Sequence, residues 1–127
     1  MGFFEAVQVV LGKYATFSGR ARRAEFWWFA LFGLVVGIVL SILDGIIFGY
    51  GDDGTPNGLI STLFSLAILL PSIGVAVRRL HDKDMSGWWY LLIFVPILGF
   101  LVLLYFFVQK GTDGDNRFGS DPLAGDG

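Results

Sequence analysis

The fold is decided by 18 consecutive residues without a charged side chain, Phe26 to Leu43, with the sequence FWWFALFGLVVGIVLSIL. After Asp44 the apolar character resumes and continues to Phe48. A helix rises about 1.5 Å per residue, so this length crosses a hydrocarbon core about 30 Å thick. The stretch predicts a first transmembrane helix over residues 26–48.

Two further uncharged runs predict two more transmembrane helices. Leu59–Val77 has 19 residues and contains Pro71, which membrane helices tolerate as a kink. Trp88–Gln109 contains Pro96 and Gly99 near its middle. We therefore expect the second and third spans at residues 59–77 and 88–109.

The segments outside the spans are amphipathic or polar. Residues 1–17 place apolar side chains at helical spacing, with most polar ones opposite, which predicts an amphipathic helix. This helix either lies among lipid headgroups or packs on the protein's own cytoplasmic face. Residues 51–58 predict an acidic turn, and residues 110–127 a polar, Gly-rich tail that we expect to be mobile. The predicted fold class is an all-α membrane protein, a single membrane domain of three transmembrane helices preceded by an amphipathic helix.

Composition supports a membrane protein and excludes several kinds of site. Of the 127 residues, 54% are hydrophobic and 16% charged, whereas soluble domains carry roughly 25% charged residues. The absence of cysteine excludes thiolate nucleophiles and Cys-based metal sites, and the single histidine, His81, excludes a multi-His metal site within one chain. The tail acids lack the ligand pattern of a calcium loop, so we expect Asx turns there. The sequence predicts a non-enzymatic protein with no cofactor and no metal.

The distribution of cations predicts the orientation. Seven Lys and Arg residues lie before the first span or between the second and third: Lys13, Arg20, Arg22, Arg23, Arg78, Arg79 and Lys83. Cationic loops are retained in the cytoplasm, so we expect a cytoplasmic N-terminus. The pairs Trp27–Trp28 and Trp88–Trp89 begin the first and third spans, which indicates the same interface for both. A count of three spans then places the tail on the opposite side.

Three short stretches resemble a known family when taken together. They are FSGRARRAEFW at 17–27, RRLHD at 78–82 with SGWW at 86–89, and GDNRFG at 114–119 with Asp121-Pro122. In this order and placement they resemble the YhaH-like family of bacterial inner-membrane proteins, domain of unknown function 805. The resemblance covers nearly the whole chain. It implies a small multispan protein of the bacterial inner (plasma) membrane, and it supplies no catalytic residues.

The main candidate site is a charged cluster on the cytoplasmic side. Its members are Arg20, Arg22, Arg23, Arg78, Arg79, His81 and Asp82. Arg side chains bind carboxylates and phosphates through two hydrogen bonds, so the cluster can join the two loops, bind anionic lipid, or bind a partner protein. Its cations are few and lie at the membrane surface, which argues against nucleic-acid binding. Ser86, just before Trp88, is expected to cap the third span.

Two further features lie inside the first span. Asp44 is an ionisable residue in an apolar run, near its outer end, so it has an interfacial or packing role or lies on an ion pathway. Its expected hydrogen-bond partners are Ser61, Thr62 and Ser65. A stripe of small residues repeats every four positions, which predicts a packing surface for the second span or for another copy. The stripe consists of Gly33, Gly37, Ser41 and Gly45.

These features favour a small inner-membrane protein that acts by association rather than catalysis. It would associate with itself, with a membrane partner protein, or with lipid at its Arg-rich cytoplasmic face. The alternative is an oligomeric transport or channel element that uses Asp44. The ligand, partner, oligomeric state and physiological process do not follow from the sequence.

Overall fold

The computed structural model describes residues 2–52, 54 and 58–123. Over this part the chain is helical, as predicted. The helices are α1 (Phe3–Gly12), α2 (Arg23–Phe48), α3 (Leu59–Asp82), a 3₁₀ helix (Gly87–Phe94) and α4 (Leu98–Val108). Of the predicted acidic turn, residues 53 and 55–57 lie outside the described residues.

Helices α2 and α3 are the two long apolar helices, with 26 and 24 residues, and each is long enough to cross a membrane. They pack side by side, with the rings of Phe32 and Phe64 6.0 Å apart. Pro71 lies within α3 without ending it. Their outward faces carry exposed apolar residues such as Ile38 and Leu66, which suits contact with lipid.

The third apolar run does not form a third transmembrane helix. It is divided into the 3₁₀ helix of 8 residues and α4 of 11 residues, and neither is long enough to cross a bilayer. The turn between them contains Pro96, and Ile97 has a left-handed φ of 64°. A Cβ at Gly99 would overlap the carbonyl of Leu92, so only glycine permits this close approach. The prediction of a continuous helix over 88–109 is wrong because the chain reverses here.

The reversed segment is a helical hairpin, and both of its ends lie at the same end of α2 and α3. At its start, Gly87 packs against Val77 of α3. At its finish, the carbonyl of Gln109 accepts a hydrogen bond from Arg79. This end also carries Arg20 and Arg78, and we call it the cation-rich end.

The tail therefore lies at the cation-rich end as well. Arg20 donates to the carbonyls of Gly114 and Thr112, both at 2.7 Å. The amide of Thr112 donates to the carbonyl of Asp82 at 2.6 Å. The prediction that the tail lies on the opposite side is wrong, because the third apolar run returns instead of crossing. The tail, expected to be mobile, is instead held against the helices over residues 111–123.

Helix α1 packs on the protein through one face and exposes the other. Ala6 and Val10 are buried, and the ring of Phe3 lies 5.9 Å from that of Trp28. Phe4 and Leu11 are exposed. Of the two interpretations left open by the sequence, packing on the protein is observed, and the outer apolar face also suits the headgroup region.

The shared side of the loop before α2 and the tail can be tested by labelling, since the chain has no native cysteine. Ser18, Ser120 and Asp52 are exposed, the two serines at the cation-rich end and Asp52 at the other. We expect Ser18→Cys and Ser120→Cys to react alike with a membrane-impermeant maleimide in oriented vesicles, and Asp52→Cys to show the opposite accessibility. A continuous third span would instead give Ser120→Cys the behaviour of Asp52→Cys.

Candidate functional site at the cation-rich end

The last turn of α3 brings the charged residues of the two loops together. Helix α3 continues to Asp82, five residues beyond its predicted end at Val77. Ala76 and Leu80 on this turn are buried against Leu103 and Phe107 of α4. This packing extends the helix into its charged sequence.

One carboxylate, that of Asp82, lies between two guanidinium groups. Its Oδ1 accepts from Arg20 Nε at 2.9 Å, and its Oδ2 accepts from Arg79 Nη1 at 2.6 Å. All three residues are buried. Charges persist in such surroundings when they are paired and hydrogen-bonded, so this triad holds the loop before α2 to the end of α3.

A second buried ion pair joins α2 to α3. Glu25, in the first turn of α2, accepts a hydrogen bond from Arg78 Nη1. Both residues are buried, and the Nε and Nη2 atoms of Arg78 have no hydrogen-bond partner among the described residues. Glu25 also lies in the first turn of α2, where acidic side chains interact favourably with the helix dipole.

His81 binds the loop before α2 on one side and the tail on the other. Its Nδ1–H donates to the carbonyl of Gly19 at 2.9 Å. Its ring stacks on Phe118, with centroids 3.9 Å apart and an interplanar angle of 1°. The side chain of Asn116 donates to the carbonyl of His81 at 2.9 Å. The imidazole therefore serves to dock the tail.

The tail takes its shape from the predicted Asx turns. Asn116 Oδ1 accepts from the amide of Phe118, and Asp121 Oδ1 from the amide of Leu123, both at 2.9 Å. The other oxygen of Asp121 accepts from the amide of Gly114 at 2.9 Å. The hydrogen bonds from Leu123 and Gly114 hold the pKa of Asp121 below its ordinary value.

The structure also shows contacts that were not expected from the sequence. Gln109 accepts hydrogen bonds from Arg79 through its carbonyl and from Lys83 through its side chain. The indole of Trp27 donates to the carbonyl of Phe107 at 3.0 Å. The one sequence signal for Gln109 is that it is the first polar residue after the third apolar run.

Asp44 lies at the opposite end and caps α3. It is fully buried, and its two oxygens accept from the backbone amides of Ile60 and Ser61, both at 2.8 Å. These amides lie in the first turn of α3, where no intrahelical acceptor exists. Ser61 was among the expected partners, whereas Ser65 bonds to the carbonyl of Ser61 instead. The arrangement is that of a packing residue at a helix end.

The small-residue stripe does not form one continuous packing surface. A Cβ at Gly33 would contact Ile68 of α3, and one at Gly45 would meet the ring of Tyr50. Beside Gly37 there is open space, and Ser41 is half-buried. The stripe contacts the second span at Gly33.

As for metals, no group of three or more His, Cys, Asp or Glu side chains converges within the described part of the chain.

Residues 14–120 match the model of a family described as protein of unknown function DUF805. The chain belongs to the DUF805 family. The matched range contains the buried ion pairs of Arg20, Arg78 and Arg79 and the stacked rings of His81 and Phe118. It omits α1.

Curated relatives of this DUF805 protein include membrane proteins of Escherichia coli K12. Inner membrane protein YhaI is 47% identical over 116 residues, which cover 91% of this chain and 93% of the relative. Inner membrane protein YhaH is 43% identical over 113 residues, 89% and 92% of the two chains. Uncharacterized protein YiiR is 29% identical, with 84% and 85% covered. No solved structure matches. The resemblance seen in the sequence is confirmed, and the chain is a bacterial membrane protein of this family.

The DUF805 fold separates the candidate binding residues into two groups. The buried residues of the cluster contact one another, Glu25 or the backbone: Arg20, Arg78, Arg79, His81 and Asp82. Arg22 is half-buried and donates to the carbonyl of Pro122 at 2.9 Å. Arg23 is exposed, and so is Lys13, which the sequence did not single out for binding. In this conformation these two cations are the ones available to an external anion near α1 and α2.

Removing the Asp82 carboxylate should destabilise the fold strongly. We expect Asp82→Asn to lower the free energy of unfolding by about 3–5 kcal/mol, because two buried cations lose their counter-charge. Asp84→Asn is the matched control: its ion pair with Arg117, at 3.3 Å, is exposed and should contribute at most about 1 kcal/mol. Denaturation in detergent, followed by circular dichroism, measures both. Equal losses for the two variants would contradict a structural role for the triad.

The capping role of Asp44 predicts a graded series. Asp44→Ala should cost about 1–3 kcal/mol of unfolding free energy, because two amides of α3 lose their acceptor. Asp44→Asn keeps one acceptor oxygen and should lose less, and Asp52→Asn, on an exposed turn, should match the unmodified protein. The same denaturation measurement applies. A stability order other than Asp52→Asn, then Asp44→Asn, then Asp44→Ala would refute the capping role.

Proposed function

We propose that this protein is a non-enzymatic, multi-pass inner-membrane protein that binds anionic lipid at its cation-rich end. One observation carries the proposal: Arg20, Arg78 and Arg79 are buried in ion pairs, while Arg23 stays exposed at the same end and Lys13 is exposed just after α1. The protein thus keeps some cations for structure and presents others to the surface.

The cation-rich end faces the cytoplasm in this proposal. The hairpin returns the chain, so that Lys110 and Arg117 lie at the same end as the other cations. The eight Lys and Arg residues from Arg20 onward then lie on one side. Because cationic segments are retained in the cytoplasm, this distribution supports a cytoplasmic N-terminus and a cytoplasmic tail.

The charged side chains at the cation-rich end are bonded to one another and to the backbone, which supports a non-enzymatic role. The Asp82 carboxylate is occupied by two guanidinium groups, and the Glu25 carboxylate by a third. The imidazole of His81 is stacked and hydrogen-bonded. Groups that general acid–base catalysis would use are committed to holding the tail and the helices in place.

Lipid is the favoured partner because the described surface exposes large apolar side chains as well as cations. The exposed residues Phe4 and Leu11 on α1 and Trp88 on the hairpin suit the interface between headgroups and acyl chains. The surface of the cytoplasmic leaflet is negative, and each nearby Lys or Arg contributes about 1 kcal/mol of attraction to it.

The test is the composition of lipid bound by the purified protein. The protein is reconstituted in nanodiscs of equal phosphatidylglycerol and phosphatidylcholine, released, and analysed by native mass spectrometry. We expect phosphatidylglycerol to be enriched among retained lipids, and Lys13→Gln with Arg23→Gln to lower the enrichment by about fivefold per cation. Lys110→Gln, whose exposed side chain pairs with Asp113, should leave it unchanged. Retained lipid in the same ratio as the bilayer would refute the proposal.

A further inference from the structure

An apolar cleft lies between α2, α3 and the hairpin. Its volume is about 400 Å³. Aromatic and aliphatic side chains of all three elements line it, among them Phe26, Ala30, Val75, Phe100, Leu103 and Phe107. Ala30 and Phe100 are also exposed, so the cleft opens to the surroundings of the helices.

The cleft belongs to one leaflet of the bilayer. On α2 its lining runs from Phe26 to Gly33, the first turns from the cation-rich end. With 11 residues, α4 extends about 16 Å, roughly half the thickness of the hydrocarbon core. The hairpin that forms one wall therefore ends near the bilayer midplane.

The chemistry of the lining favours an acyl chain over water or an empty space. The polar side chains that line the cleft are Ser72, Tyr90 and Trp27, and none carries a charge. Protein interiors leave few voids larger than a water molecule, and water enters a void only where several polar partners hold it. Lipid chains surround this opening, and one long chain has about the volume of the cleft.

The cation Arg23 lies one helical turn beyond the lining, at the cation-rich end of the cleft. Arg23 precedes Phe26, Trp27 and Ala30 by three, four and seven positions, so all four share one face of α2. Its Nη1 donates to the carbonyl of Val108 at 3.1 Å, next to Phe107 of the lining. An exposed guanidinium above an apolar cleft matches the layout of a phospholipid.

We propose that the cleft holds one acyl chain of a phospholipid whose phosphate is bound by Arg23. This inference rests on the proposed binding of anionic lipid and specifies the cleft as the site where that lipid binds. A second copy of the chain does not fit as well, because a helix about 10 Å wide would fill the cleft with a single turn.

The proposal is tested with a substitution that fills the cleft and leaves the rest of the surface unchanged. Ala30→Phe places a ring in the cleft, and Val39→Phe is the matched control, since Val39 is exposed on α2 and outside the lining. Native mass spectrometry from phosphatidylglycerol nanodiscs should show one retained lipid for the unmodified protein and for Val39→Phe. Retention by Ala30→Phe should fall at least tenfold. In nanodiscs of equal phosphatidylglycerol and phosphatidylcholine, Arg23→Gln should lower the enrichment of phosphatidylglycerol about fivefold.

Each outcome bears on one proposal. Full retention by Ala30→Phe overturns the cleft, whatever the headgroup preference, and so does a retained second copy in place of lipid. One lipid held without headgroup preference, and lost in Ala30→Phe, overturns the anionic selectivity and leaves the cleft in place. If circular dichroism shows that Ala30→Phe is unfolded, Ser72→Leu, which fills the cleft from α3, replaces it with the same expected loss.

Discussion

The buried carboxylate of Asp82 is the contact on which the rest of the structure depends. Through Arg20 it fixes the loop before α2, and Arg20 in turn binds carbonyls of the tail. Through Arg79 it fixes the end of the hairpin at Gln109. Removing one partner of a buried ion pair leaves an uncompensated charge, so the loop, the hairpin and the tail all rely on one side chain.

Helix α3 is held by an acid at each end. Asp44, from α2, satisfies the amides of its first turn, and Asp82 lies in its last turn between two arginines. Both acids are buried. A helix in lipid gains little from the hydrophobic effect when it packs on another, so directed polar contacts at the two interfaces fix its position along α2. The apolar middle of α3 needs only to fit against its neighbours.

Helices and turns that depend on local sequence are predicted correctly. Features that depend on contacts between distant residues are not. The uncharged runs locate α2 and α3, Ser86 caps the 3₁₀ helix by accepting from the amide of Trp88, and the Asx turns form as expected. The sequence does not predict the hairpin because 22 uncharged residues satisfy the length of a span, whereas the reversal requires Gly99 to pack on Leu92. The partners of the Arg residues are likewise set by tertiary contacts, which bury Arg20, Arg78 and Arg79 and leave Arg23 exposed.

The hairpin also makes the protein asymmetric across the bilayer. Of the helices in the described residues, α2 and α3 extend into the half away from the cations, whereas α1 and both arms of the hairpin add to the other half. The molecule therefore has a larger cross-section in one leaflet and displaces unequal numbers of lipids from the two.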